Sequence, residues 1–95
     1  MERLEAIADQ IRAQFDARTA ARDQALAQAR ALTRFCSQAI RAVHRDEDDT
    51  MNAHLAEARK LAESLRSDLA RHPDLYYAGY TQDALKEYVE ANVTC

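Results

Sequence analysis

From Glu2 to His44 the chain has neither Pro nor Gly, and apolar residues return at helical spacing. Leu4, Ile7, Ala8, Ile11 and Phe15 are followed by Leu26, Ala29, Cys36, Ile40 and Val43. At about 100° per residue these positions gather on one broad face, so the pattern predicts a single long amphipathic helix. Between Ala17 and Arg22 that face carries only small or polar residues, which predicts a bend there. A second pattern runs through Met51, Leu55, Ala58, Ala62, Leu65 and Leu69, alternating steps of four and three, with Leu61 widening it. Two such faces predict antiparallel packing as a helical hairpin.

The breaks between these patterns carry their own chemistry. His44-Arg45 ends the first helix with cations, and Asp46-Glu47-Asp48-Asp49 opens the second with acids. Both arrangements suit the helix macrodipole, and Asp46 or Asp48 is the expected N-cap. The second helix is expected to run to about Arg71, where His72-Pro73 stops it, because Pro lacks the N–H that would continue the ladder. Leu75 to Tyr80 reads as a short connection in which Gly79 is free to take positive φ. A third helix is expected from Thr81, as N-cap, through Glu90. The fold class is all-α: a long antiparallel helical hairpin plus a third helix, forming part of a larger bundle.

Composition narrows the functions. The chain has 95 residues, one Gly and one Pro, and is rich in helix formers. Such a length limits it to one small domain whose own core is modest. Thirteen Lys and Arg against sixteen Asp and Glu give a net charge of −3, so general electrostatic attraction to nucleic acid is excluded. Contact with a polyanion must then come from a local basic stripe. One exists: Arg12, Arg30, Arg34, Arg41 and Arg45 fall within roughly 60° of one another on an ideal helix. Guanidinium forks match phosphate oxygens, although an exposed charge row is more often only a solvated face. Two distant thiols, Cys36 and Cys95, suit a reducing compartment, and neither an apolar leader nor a span of about 20 apolar residues is present. The expectation is a cytoplasmic protein that makes no membrane contact.

Asp83, Glu87 and Glu90 recur at i, i+4 and i+7 on the third helix, opposite Leu85, Tyr88 and Val89. Carboxylates converging in this way can hold Mg²⁺ or Mn²⁺, which prefer oxygen ligands, and such a metal can activate water against a phosphodiester. An ordinary polar helix face explains the same spacing. His44, His54 and His72 have no partner at zinc-ligand spacing. Tyr76, Tyr77, Tyr80 and Tyr88 are open to base stacking or to packing.

Two segments add a resemblance. Ile40-Arg41-Ala42-Val43-His44-Arg45 is similar to the "IR-x-(I/V)-H-R" signature that closes the first helix of the translin family. Gln82-Asp83-Ala84-Leu85-Lys86-Glu87-Tyr88-Val89-Glu90-Ala91 closely resembles that family's "QDALKEYVEA" stretch, and the order and spacing of the two agree. The resemblance covers roughly Leu26 to the C-terminus. It implies a protein that binds single-stranded RNA or DNA within a homo-oligomer, or within a hetero-oligomer with another translin-like chain. In translin-associated factor X the two glutamates of "EYVEA" belong to a metal-dependent endoribonuclease site. By that resemblance Glu87 and Glu90 are catalytic metal ligands for Mg or Mn, with Asp83 as weaker support. Arg34, Arg41, His44 and Arg45 become the nucleic-acid contacts. A further acidic ligand comes from a later helix in the family, whose members are about twice this length. Residues 1–95 are therefore expected to form one incomplete translin-like domain, inactive as a nuclease alone. The contrasting expectation is an inert helical module that only oligomerises.

Overall fold

The computed structural model describes residues 2–95. Four helices follow in order: α1 (Glu2–His44), α2 (Asp48–Asp68), α3 (Pro73–Tyr76) and α4 (Gly79–Thr94), with no strand among the described residues. The all-α expectation holds. α1 packs against both α2 and α4, giving an antiparallel hairpin with a further long helix laid along it. None of the described helices is long and apolar enough to cross a membrane.

α1 is unbroken, and the bend expected at 17–22 is not there. Its 43 residues rise about 64 Å at 1.5 Å each, nearly the 67 Å longest dimension of the molecule. Residues 17–22 are three Ala, two Arg and one Thr, and the high helix propensity of Ala and Arg keeps the stretch helical without fully buried side chains. α2, with 21 residues, reaches along only about half of α1. All residues from Glu2 to Ala20 are exposed, whereas burial begins at Ala21. The molecule is thus a small three-helix bundle from which one end of α1 projects.

The core is built from small side chains. α1 buries Ala25, Ala29, Leu32, Cys36, Ala39 and Ala42, α2 buries Ala58, Ala62 and Leu65, and α4 buries Thr81, Ala84, Leu85 and Ala91. Leu69 and Leu75 close the end between α2 and α4. Of the expected α1 face, Ala29 and Cys36 are buried, while Leu26, Ile40 and Val43 are only half-buried at its border. Alanines at the contact let helix axes approach closely, with Leu32, Leu65, Leu69 and Leu85 filling the space between them.

The turns differ from the sequence expectations. Asp46 adopts φ 58°, in the left-handed region, and Glu47 is the N-cap of α2 without a side-chain cap. The Glu47 N–H donates to Ala42 O at 2.9 Å and the Asp46 N–H donates to Val43 O at 3.1 Å. This six-to-one plus five-to-two pair is a Schellman closure, with Asp46 where Gly is usual. Neither Asp46 nor Asp48 is therefore the N-cap. α2 ends at Asp68, earlier than expected, and His72-Pro73 starts the short helix α3 inside the segment expected to be a plain connection. Gly79 has no positive φ and is the first residue of α4, whose N-cap is Ala78 and not Thr81. The Thr81 hydroxyl is instead buried and donates to Leu75 O at 2.8 Å, tying α4 to α3.

Candidate nucleic-acid interface and carboxylate face

The exposed side of α1 follows from its buried side. Once Ala25, Leu32, Cys36 and Ala39 face the core, Arg30, Arg34, Arg41 and Arg45 must point away from it. All four are exposed. None of them pairs with a carboxylate among the described residues; the ion pairs there are Arg12 with Asp9, Arg18 with Asp74, Arg59 with Glu63, and Lys60 with Glu57. The Arg34 guanidinium lies 5.5 Å from the centre of the Phe35 ring, a cation–π distance that holds it near the helix surface.

The hairpin brings α2 to the basic end of this ridge. Arg41 and Arg45 line a recess of about 170 Å³ together with Gln38, Glu47, Thr50 and His54. His54 is half-buried, its ring 5.9 Å from that of Phe35 and tilted by 38°. His44 is exposed at the end of α1, in the last turn where a cation complements the dipole. The recess offers two guanidinium groups, a hydroxyl, an amide and an imidazole to an anion, with Glu47 as an opposing charge.

Gln38 and Thr50 were not singled out from the sequence, and His54 was weighed only as a zinc ligand. A turn centred on Asp46 and Glu47 pairs positions about equidistant from it, and that signal could have located them. Two further contacts were equally missed. Gln28 donates to Asp68 at 2.9 Å, and Arg18 bonds Asp74, joining α1 to α2 and to α3.

The carboxylates of α4 are placed less favourably for a metal. Asp83 and Glu90 are exposed, and Glu87 is half-buried on the side toward α1. Glu87 is near enough to Cys36 to contribute to its titration. Burial pushes that thiol up to about 11, with the Glu87 charge and then Cys95 adding to it. The two glutamates therefore do not share a buried cavity. Among the described residues no three His, Cys, Asp or Glu side chains converge as metal ligands. Mg²⁺ demands near-octahedral oxygen coordination, so the acids gathered here do not by themselves form a complete site. The apolar face of α4 is also rotated from expectation. Val89 and Val93 are exposed, because Ala84, Leu85, Tyr88 and Ala91 take the core side.

Of the tyrosines, Tyr76, Tyr80 and Tyr88 pack against the core, whereas Tyr77 is exposed and meets Tyr76 edge-on at 5.1 Å. No known family, no curated protein and no solved structure matches this chain.

Proposed function

We propose that this protein binds the backbone of single-stranded RNA or DNA along the Arg34, Arg41 and Arg45 face of α1, with His44 at its end, as its resemblance to the translin family implies. The observation that carries the reading is the ridge of exposed Arg side chains without carboxylate partners among the described residues. Exposed ion pairs contribute little to stability, so these guanidinium groups are not needed to hold the bundle together. Glu47 borders Arg41 and Arg45 in their recess, but none of the ridge guanidinium groups forms an ion pair among the described residues, which leaves them available to phosphates. A cytoplasmic location, and assembly with itself or a translin-like partner, go with this reading.

The test is charge reversal at Arg41 and Arg45, measured as binding of a single-stranded oligonucleotide across a salt series. Each phosphate contact on a single strand contributes about 0.7 to the slope of log K against log salt. Losing two contacts flattens the slope by about 1.4. An unchanged slope, with the variant folded, refutes the reading.

A contribution to a Mg- or Mn-dependent endoribonuclease site by Glu87 and Glu90, supported by Asp83, rests on the resemblance alone and needs acids from outside this set. In an assembly that cleaves RNA, the pair Glu87→Gln and Glu90→Gln is expected to abolish cleavage; undiminished cleavage removes both from the reaction. The second reading, an inert interaction module, is favoured by the exposed apolar side chains of the α1 projection.

A further inference from the structure

The projecting end of α1 presents Leu4, Ile7, Ile11 and Phe15 at 67, 47, 61 and 68 % exposure. Scattered exposed apolar residues mean little, but four on one helix face form a patch that marks an interface. Their spacing is not independent of the core. Leu4, Ala8, Ile11, Phe15, Arg18, Arg22, Ala25, Ala29, Leu32, Cys36 and Ala39 follow one another in unbroken steps of four and three. From Ala25 onward this seam is the one that α2 and α4 bury. The projection thus continues an established packing seam, of coiled-coil type, beyond the point where its partners stop.

We propose that a second copy of this chain covers the seam, the two projections pairing antiparallel about a two-fold axis between Gln10 and its neighbour Asp9. Three observations select this occupant. The first is register. Matching Leu4 with Phe15 of the other copy matches Ala8 with Ile11, so every layer joins a large side chain to a complementary one, and the symmetry repeats each layer.

The second is charge. The same register sets Glu5 beside Arg12 of the other copy, twice by symmetry, and Ile7 beside Gln14, so no like charges meet. Arg12 lies 4.0 Å from Asp9 within its own helix and is otherwise free to make this contact.

The third is length. The Arg18–Asp74 bond marks where α3 begins to occupy the seam, which leaves residues 2–17 uncovered. Under the proposed register Glu2 of one copy falls opposite Ala17 of the other. Residues 2–17 of each copy therefore cover the uncovered stretch of the other. A parallel pair fails on this count, because the second α1 would run into α2 and α3 beyond Arg18. The proposal is independent of nucleic-acid binding.

Sedimentation of the full chain over a range of concentrations is expected to show a monomer–dimer equilibrium. Ile11→Asp, which places a buried charge in two symmetry-related layers, raises the dissociation constant about a hundredfold, tenfold for each layer. Residues 2–17 support nothing in the bundle, so circular dichroism confirms that this variant stays folded. Glu5→Arg or Arg12→Glu alone weakens the dimer, and the two together restore it.

Orientation is read by oxidative cross-linking in a Cys95→Ser background. A mixture of Leu4→Cys and Phe15→Cys chains is expected to give the mixed dimer, while neither alone cross-links. A chain that stays monomeric at all concentrations, as it would if a different protein covered the face, overturns the proposal. So does a dimer indifferent to Ile11→Asp, or one in which Leu4→Cys cross-links to itself.

Discussion

The left-handed turn at Asp46 allows a stability change to be worked from a single dihedral angle. A side chain at φ 58° brings Cβ against the following carbonyl at a cost of about 1–2 kcal/mol, which Gly escapes and which Asp, with its short polar side chain, feels at the low end. Replacing Asp46 with Gly removes that cost but returns about 0.5–1 kcal/mol of backbone freedom to the unfolded chain. Losing the Asp46 charge changes little, because it sits beyond the negative end of α1 and before the positive end of α2, whose effects oppose. Asp46→Gly should therefore stabilise by roughly 0–0.5 kcal/mol. For a domain of this size 1 kcal/mol corresponds to about 4–8 °C in Tm, so a rise of up to about 4 °C is expected. Asp46→Val moves the other way, since a β-branched residue tolerates this region worst. Both bonds of the closure are made by backbone, so neither variant deletes a hydrogen bond. Thermal melts followed by circular dichroism, with urea titrations as a check on the slope, measure the series. A Gly variant less stable than wild type, or a Val variant equal to it, would show that residue 46 does not hold this conformation in solution.

Two further outcomes follow from buried groups. Thr81→Val keeps the shape of the side chain but removes the hydroxyl bond to Leu75 O; because that carbonyl retains the Ala78 N–H at 3.2 Å, a loss of only about 1 kcal/mol is expected in urea unfolding, and a loss several times larger would mean that the bond organises the whole α3–α4 junction. The Cys36 thiol, raised from 9.0 to about 11, keeps its proton in the native state after the unfolded chain has lost it. Native protein then binds more protons, so this contribution to stability is fully present below pH 9 and declines as pH rises toward 11. Glu87→Gln removes the second cause of the shift and should move the thiolate absorbance titration of Cys36 to lower pH; an unmoved titration would mean that burial alone sets it.

Helix periodicity carried most of the architecture, and the departures have identifiable causes. α1 and α2 were legible because apolar residues on them recur at helical spacing and because cations meet acids at residues 44–49. The expected bend was wrong because a helix needs propensity, not burial, to stay continuous over a few turns. α3 escaped notice since four residues cannot display a period. Thr81 looked like an N-cap by composition, but α4 already begins at Gly79, which puts Thr81 inside the first turn with its hydroxyl donating back to Leu75 O.

The Arg ridge was readable because it lies opposite the core seam of the same helix. The carboxylate face was not. Whether Glu87 is sheltered and Glu90 open depends on how far α4 rolls against α1, and that roll is the one that buries Thr81, Ala84, Leu85 and Ala91. Spacing along one helix holds no record of such a rotation.

Because α2 and α3 abandon α1 part-way along its length, one continuous backbone ladder has two thermodynamic regimes. Amide protons near Leu32 and Cys36 can exchange only when the bundle opens, while those near Ile7 and Ile11 depend on a helical segment of marginal length for independent survival. Hydrogen exchange along this single helix therefore serves as an internal gauge. Anything that settles on the free end will slow the first dozen amides and leave the rest as they were.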